Sequence, residues 1–172
     1  MKQKLKLINF KDQEPKFIDV IIEKSKPDVL HQNLKLTYTF GQKDIDSNIF
    51  FPKSIKNLEK GFELWKKTCL ECFFFDEKSD QYFEVNVSPE GKYDLMSFKS
   101  YRQKTNKEAP IQVSDLTIKK SQSLITVSFH LKTEFSSLYS ISPTVILDTP
   151  AEQLFFAQKH IKTRPDFHLK KP

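Results

Sequence analysis

Residues 64–98 read LWKKTCLECFFFDEKSDQYFEVNVSPEGKYDLMSF. Two apolar runs flank the polar segment Asp76-Glu77-Lys78-Ser79-Asp80, and Ser88-Pro89-Glu90-Gly91 follows the second run. Aromatic and β-branched residues bounded by such turn formers predict strands. Residues 68–75 and 81–88 therefore form a hairpin, and residues 93–98 a further strand. Side chains alternate between the two faces of a strand. Alternation sets Leu70, Cys72 and Phe74 on one face and Cys69, Glu71, Phe73 and Phe75 on the other. In the second run Phe83, Val85 and Val87 share the apolar face, opposite Tyr82, Glu84, Asn86 and Ser88. Two carboxylates, Glu71 and Glu84, thus sit inside hydrophobic runs on one mixed face. Close together on a dry sheet they repel, and one pKa rises unless water, a cation or a ligand compensates them. Arg102, just after Tyr101, is the nearest candidate cation.

The same rhythm extends along the chain. Residues 17–23, 33–40, 114–119, 123–131, 141–148 and 154–158 read as strands, with a helical turn over residues 53–61 ending at Gly61. Helical periodicity is otherwise nearly absent. The chain has 172 residues, of which 16 are Phe and only 3 Gly, so Asn, Asp, Ser and 9 Pro make the turns. This predicts an all-β fold, an antiparallel β-sandwich of roughly ten strands. Residues 1–172 form a single domain, with 159–172 a tail packed on its surface.

The net charge of +6 permits an anionic partner. Lysine is spread along the chain, however, and clusters only at Lys2, Lys4 and Lys6 and at Lys170 and Lys171, which argues against nucleic acid. No run approaches the ~18 apolar residues of a membrane span, so no membrane association is expected. The amino terminus has early lysines but no apolar core of a signal peptide, and the expected location is the cytoplasm. Cys69 and Cys72 form C-x-x-C, yet residues three apart in a strand face opposite ways. They read as two reduced thiols rather than metal ligands. Asp44 and Asp46 lack calcium-loop spacing, and no metal or cofactor is expected. Oligomeric state and partner proteins leave no mark in the sequence.

One stretch resembles a known group. The string L-W-x-x-T-C-x-E-x-F (Leu64, Trp65, Thr68, Cys69, Glu71, Phe73) is followed by Y-x-E-x-N-x-S-P-x-G-x-Y (Tyr82, Glu84, Asn86, Ser88, Pro89, Gly91, Tyr93) and by Y-R (Tyr101, Arg102). It is similar to bacterial DOMON-like proteins, themselves similar to family-9 carbohydrate-binding modules. Arg164–His168, R-P-D-F-H, resembles that group's ending, with Leu169 where a second His is usual. The resemblance implies a β-sandwich with a ligand-binding role.

Face analysis and resemblance together name Trp65, Glu71, Tyr82, Glu84, Asn86, Tyr101 and Arg102 as candidate ligand-binding residues. Carboxylates and amides take hydrogen bonds from sugar hydroxyls, and an aromatic ring stacks on a sugar's C–H face. The expectation is a non-catalytic module for a carbohydrate or sugar-containing small molecule. The plain alternative is a solvated sheet face, with Arg102 in a structural ion pair with Glu71, Asp166 and His168 anchoring the tail, and His160 on the surface. A haem-binding DOMON domain is another alternative, with Met96 and His130 the best axial pair among Met96, His31, His130, His160 and His168. A glycosidase-like enzyme using Glu71 and Glu84 is the third.

Overall fold

A computed structural model describes residues 1–11, 17–25, 32–41, 51–52, 55, 57–134, 139–161 and 163–169. Among these are twelve strands: β1 Lys2–Asn9, β2 Phe17–Lys24, β3 Gln32–Gly41, β4 Glu59–Lys60, β5 Cys69–Asp76, β6 Tyr82–Val87, β7 Lys92–Ser100, β8 Gln103–Thr105, β9 Ile111–Lys120, β10 Leu124–Thr133, β11 Tyr139–Asp148 and β12 Gln153–Ala157. A single 3-10 turn, Leu64–Lys66, leads into β5.

The strands form one continuous ladder in the order β4-β7-β6-β5-β11-β12-β1-β2-β3-β10-β9, with β8 paired to β7. All pairings are antiparallel except β4 with β7. The two layers of the expected sandwich are therefore two halves of one curled sheet. Its inner face holds a single large cluster with Val20 and Ile22 of β2, Leu36 and Tyr38 of β3, Cys72 and Phe74 of β5, Val85 of β6 and Phe129 of β10. Each such side chain contributes about 1.5–3 kcal/mol by leaving water. The Tyr38 hydroxyl spans the layers and donates to the Glu71 carbonyl at 2.7 Å. The β5 and β6 faces follow the alternation: Cys72 lies in this core, while Cys69 faces outward against Leu64 and Ile146. Both thiols are free and buried.

Several expectations change. Lys2, Lys4 and Lys6 belong to a strand, β1, with Leu7 turned into the core; Lys2 pairs with Glu23 at 3.3 Å and Lys6 lies over the Phe17 ring. A lysine at every second place is one solvated face of a strand. Glu59–Lys60, where a helical turn was expected, is extended and pairs with β7. Residues 53, 54 and 56 of that turn lie outside the described residues, as do His31, Asp44, Asp46, Lys170 and Lys171. His160 is half-buried; its Nε2 lies 3.0 Å from the Ile8 carbonyl and its ring meets Phe10 edge-on. The Ser88–Gly91 turn needs its glycine: φ is 91°, and a Cβ there would stand 2.7 Å from Ile55.

The bond between the layers is testable. Tyr38→Phe keeps the packing and removes the only donor it offers the Glu71 carbonyl. The urea midpoint should fall by the equivalent of about 1 kcal/mol with an unchanged slope.

Candidate functional site

The site is the outer face of β11, β5, β6 and β7. Register builds it in rows. Glu71 lies opposite Thr144 on one side and Asn86 on the other, and Asn86 lies opposite Asp94. The next row runs Ser142, Phe73, Glu84 and Met96, and the next Ser140, Phe75, Tyr82 and Phe98. A polar row thus adjoins an aromatic one, with the two carboxylates diagonal to each other on neighbouring strands.

The segment 163–169 lies across this face. Phe167 meets Phe73 and Phe155, and the His168 ring stands edge-on to Phe73, Tyr82 and Phe98 at 5.3, 5.8 and 5.4 Å. Asp166 is its fastening. It accepts from the Tyr101 hydroxyl at 2.5 Å, from Arg102 Nη2 at 3.3 Å and from the His168 amide at 3.2 Å. Tyr101 and Arg102 form the tight link between β7 and β8, and Arg102 takes a left-handed φ of 56°. A non-glycine residue holds that conformation at a cost of order 1 kcal/mol. Here the cost is offset on both sides of the residue: its amide donates to the Tyr82 hydroxyl at 3.1 Å while its guanidinium reaches Asp166.

Between tail and sheet lies a cleft of about 370 Å³. Its walls are Phe73, Met96, Phe98 and Phe155, with Glu71 and Glu84 set deep and Trp65, Arg102 and Lys104 at the exposed rim. The Asn86 amide donates to Glu84 Oε1 at 2.9 Å and the Thr144 hydroxyl to Glu71 Oε2 at 3.0 Å. Glu84 Oε2 and Asn86 Oδ1 are buried without a hydrogen-bond partner among the described residues. Burial, opposed by the Asn86 amide, lifts the Glu84 carboxyl to about 7. Burial and the neighbouring Glu84 push Glu71 well above the carboxylate range, against the Thr144 bond.

Tyr82 accepts from Arg102, and its hydroxyl oxygen lies 2.8 Å from His168 Nδ1; a phenol that accepts on one side is fully satisfied if it donates on the other. That direction assigns the neutral imidazole its hydrogen on Nε2. Burial and the Arg102 charge hold His168 neutral by lowering its pKa to about 4. His168 Nδ1 is 3.9 Å from Glu84 Oε2, too far for a hydrogen bond, and a neutral ring brings that oxygen no charge.

Four of the seven sequence candidates meet at the cleft: Trp65, Glu71, Glu84 and Arg102. Tyr82 is only 1% exposed, stacked on Phe98 at 4.5 Å, so it supports His168 instead of offering a ring to a ligand. Asn86 is buried behind Glu84, and Tyr101 is outside the cleft, fastening Asp166. Arg102 pairs with Asp166 and not with Glu71, because its turn carries it to the tail. Of the expected haem pair, Met96 lines the cleft, but His130 points outward from β10 and is held by Asp115 at 3.0 Å. β7 and β10 occupy different halves of the sheet, so the pair does not assemble. Met96 and Phe98 share Glu84's face by parity and were findable in the sequence. Phe167 and His168 reach the cleft only through the long-range fastening of the tail.

No family model matches the chain, and no curated protein matches it. A solved structure with this fold is that of a "putative carbohydrate-binding protein" from Bacteroides uniformis, 12% identical, with a TM-score of 0.59 over 98% of this chain and 82% of that one. At this identity the likeness shows the fold. The sandwich implied by the sequence resemblance is thus present, while the DOMON-like group itself finds no matching model.

The buried carboxyl has a signature in stability. Glu84 goes from its ordinary 4.5 to about 7 on folding, so its proton stabilises the fold below about pH 4.5, and this contribution is lost as pH rises to about 7. His168 falls from 6.5 to about 4, so its contribution is present above about pH 6.5 and is lost as pH falls to about 4. The two oppose each other where they overlap, and the comparison with Glu84→Gln isolates the first. Relative to wild type, Glu84→Gln should gain on the order of 3 kcal/mol between pH 4.5 and 7 in urea titrations.

Proposed function

We propose that the protein is a non-catalytic ligand-binding module whose cleft takes a sugar or a sugar-containing small molecule. One observation carries this reading: a buried carboxylate oxygen, Glu84 Oε2, has no hydrogen-bond partner among the described residues and belongs to a residue that opens onto an aromatic-walled cleft. An orphaned buried acceptor costs about 1–3 kcal/mol or more, and a ligand donor removes that cost. Apolar rings beside convergent polar groups suit a molecule with C–H faces and hydroxyl edges. The Bacteroides uniformis protein of the same fold, described as a "putative carbohydrate-binding protein", supports the reading.

The carboxylates favour binding over glycoside hydrolysis. Hydrolysis sets two carboxyls on either side of the scissile bond, with one of them ionised. Glu71 and Glu84 project from the same face of adjacent strands, and burial favours the protonated form of both.

Trp65, the sole tryptophan and 37% exposed at the rim, is a built-in reporter. A panel of monosaccharides, oligosaccharides and nucleotide sugars should contain a ligand that shifts both the melting temperature and the Trp65 emission. At about 100 Kd the stabilisation is ~2.7 kcal/mol, several degrees for a chain of this size. Glu84→Ala should lose most of that shift. A folded wild-type protein unmoved by the whole panel would refute the proposal.

A further inference from the structure

The donor count in the cleft narrows the ligand class, and the inference rests on the sugar-binding reading above. Apart from the acid proton that burial favours on Glu71, the deep side is rich in acceptors and poor in donors. Glu84 Oε1 takes one amide hydrogen of Asn86 and Glu71 Oε2 takes the Thr144 hydroxyl, while Glu84 Oε2 and Asn86 Oδ1 take nothing from the described residues. Glu84 is 4% exposed and Glu71 2%, and neither carboxylate is hydrogen-bonded to a cation among the described residues. A sugar hydroxyl brings one donor, but it also adds an acceptor oxygen to a place already rich in acceptors. A protonated amine brings three donors, no acceptor and the missing positive charge. The rings of Phe73 and Phe98 beside Glu84 present the faces and edges against which an ammonium is also stable.

We infer that the cleft is built for a sugar bearing a free, protonated amine, seated with its ammonium against Glu84 Oε2 and its ring between the aromatic walls. The surrounding charges agree with that placement. Glu71 lies beside Glu84 on β5, and Asp94 of β7 adds a further negative field. The cations that face the site are Arg102 and Lys104, both at the rim. Arg102 is paired with Asp166 of the tail, and Lys104 is exposed, where solvent screens it. Burial and the Arg102 charge keep His168 neutral, so it does not compete for Glu84 as a cation. An N-acetylated amine should bind poorly, because acetylation removes the charge and two donors and adds a carbonyl.

The test is calorimetry on the full chain with glucosamine, galactosamine and mannosamine, each beside its parent hexose and its N-acetyl form. At least one amine should bind about tenfold or more tightly than its two counterparts. Glu84→Gln, which keeps the shape and removes the charge, should level the three while its melting curve reports a folded protein. In wild type the amine's affinity should rise from about pH 5.5 to about pH 7, because the ammonium requires the ionised Glu84 carboxylate, whereas a neutral hexose should show no such rise. A hexose or N-acetyl sugar bound as tightly as its amine overturns the inference and leaves the sugar-binding reading standing. An amine preference that survives intact in Glu84→Gln overturns the assignment to Glu84. Failure of all nine sugars to bind overturns the inference, while the sugar-binding reading falls only if the wider panel of oligosaccharides and nucleotide sugars fails as well.

Discussion

Strand β5 is covered on both faces, and the architecture of the site follows from that. Cys69–Phe75 is buried at every position. Its inner residues Leu70, Cys72 and Phe74 are covered by the other half of the curled sheet, reached by the Tyr38 bond. Its outer residues are covered by β5's neighbours and by the tail. A strand enclosed in this way usually reads as an unbroken apolar run. Glu71 breaks the run, and Glu84 breaks that of β6 at the next step along the ladder. On a solvated face these two would be ordinary surface carboxylates. Under the tail they become buried acids whose charge the surroundings hardly compensate.

The tail's cover depends on a small number of polar contacts. Asp166 gathers a phenol, a guanidinium and an amide, and its side chain is 2% exposed although Arg102, its partner, is about half in solvent. Such a half-exposed ion pair is worth little by its charge alone. Its value here is geometric, since the same turn that aims Arg102 at Asp166 also aims its amide at Tyr82, which holds His168. The chain of contacts runs from the β7–β8 link through the tail to the aromatic wall, so the shape of the cleft and the position of the tail are set together.

Much of this was legible from local pattern. Period-two alternation assigned the faces of β5 and β6 because it needs no long-range information, and the polar hairpin segment brought Glu71 beside Asn86. Alternation says which side a residue faces but not what lies over that side. Tyr82 was therefore read as a ligand-facing ring, although Phe98 and His168 bury it. Arg102 was offered as an ion-pair partner for Glu71 because it is the nearest candidate cation in the sequence; the fastening it makes instead lies 64 residues away. β1 was overlooked because its lysines were read as a cluster, when every second one marks the solvent side of a strand.

Glutamate at 84 is a poor choice for stability. Glutamine would have the same outline, would shed the charge and would bring a second donor group into a donor-poor place. Two buried acids on adjacent strands also raise each other's cost, which an apolar pair of similar volume would avoid. The aromatic row beside them, by contrast, is stabilising through burial and ring contacts without further help. Along one sheet face the fold thus changes from residues that stabilise it to residues that burden it, and the change occurs at the cleft. Strongly perturbed carboxyls that face a cavity are candidates for a functional site. With Asn86 fixing one oxygen of Glu84 and leaving the other open, the burden at this face has the direction of a hydrogen bond that a ligand would complete.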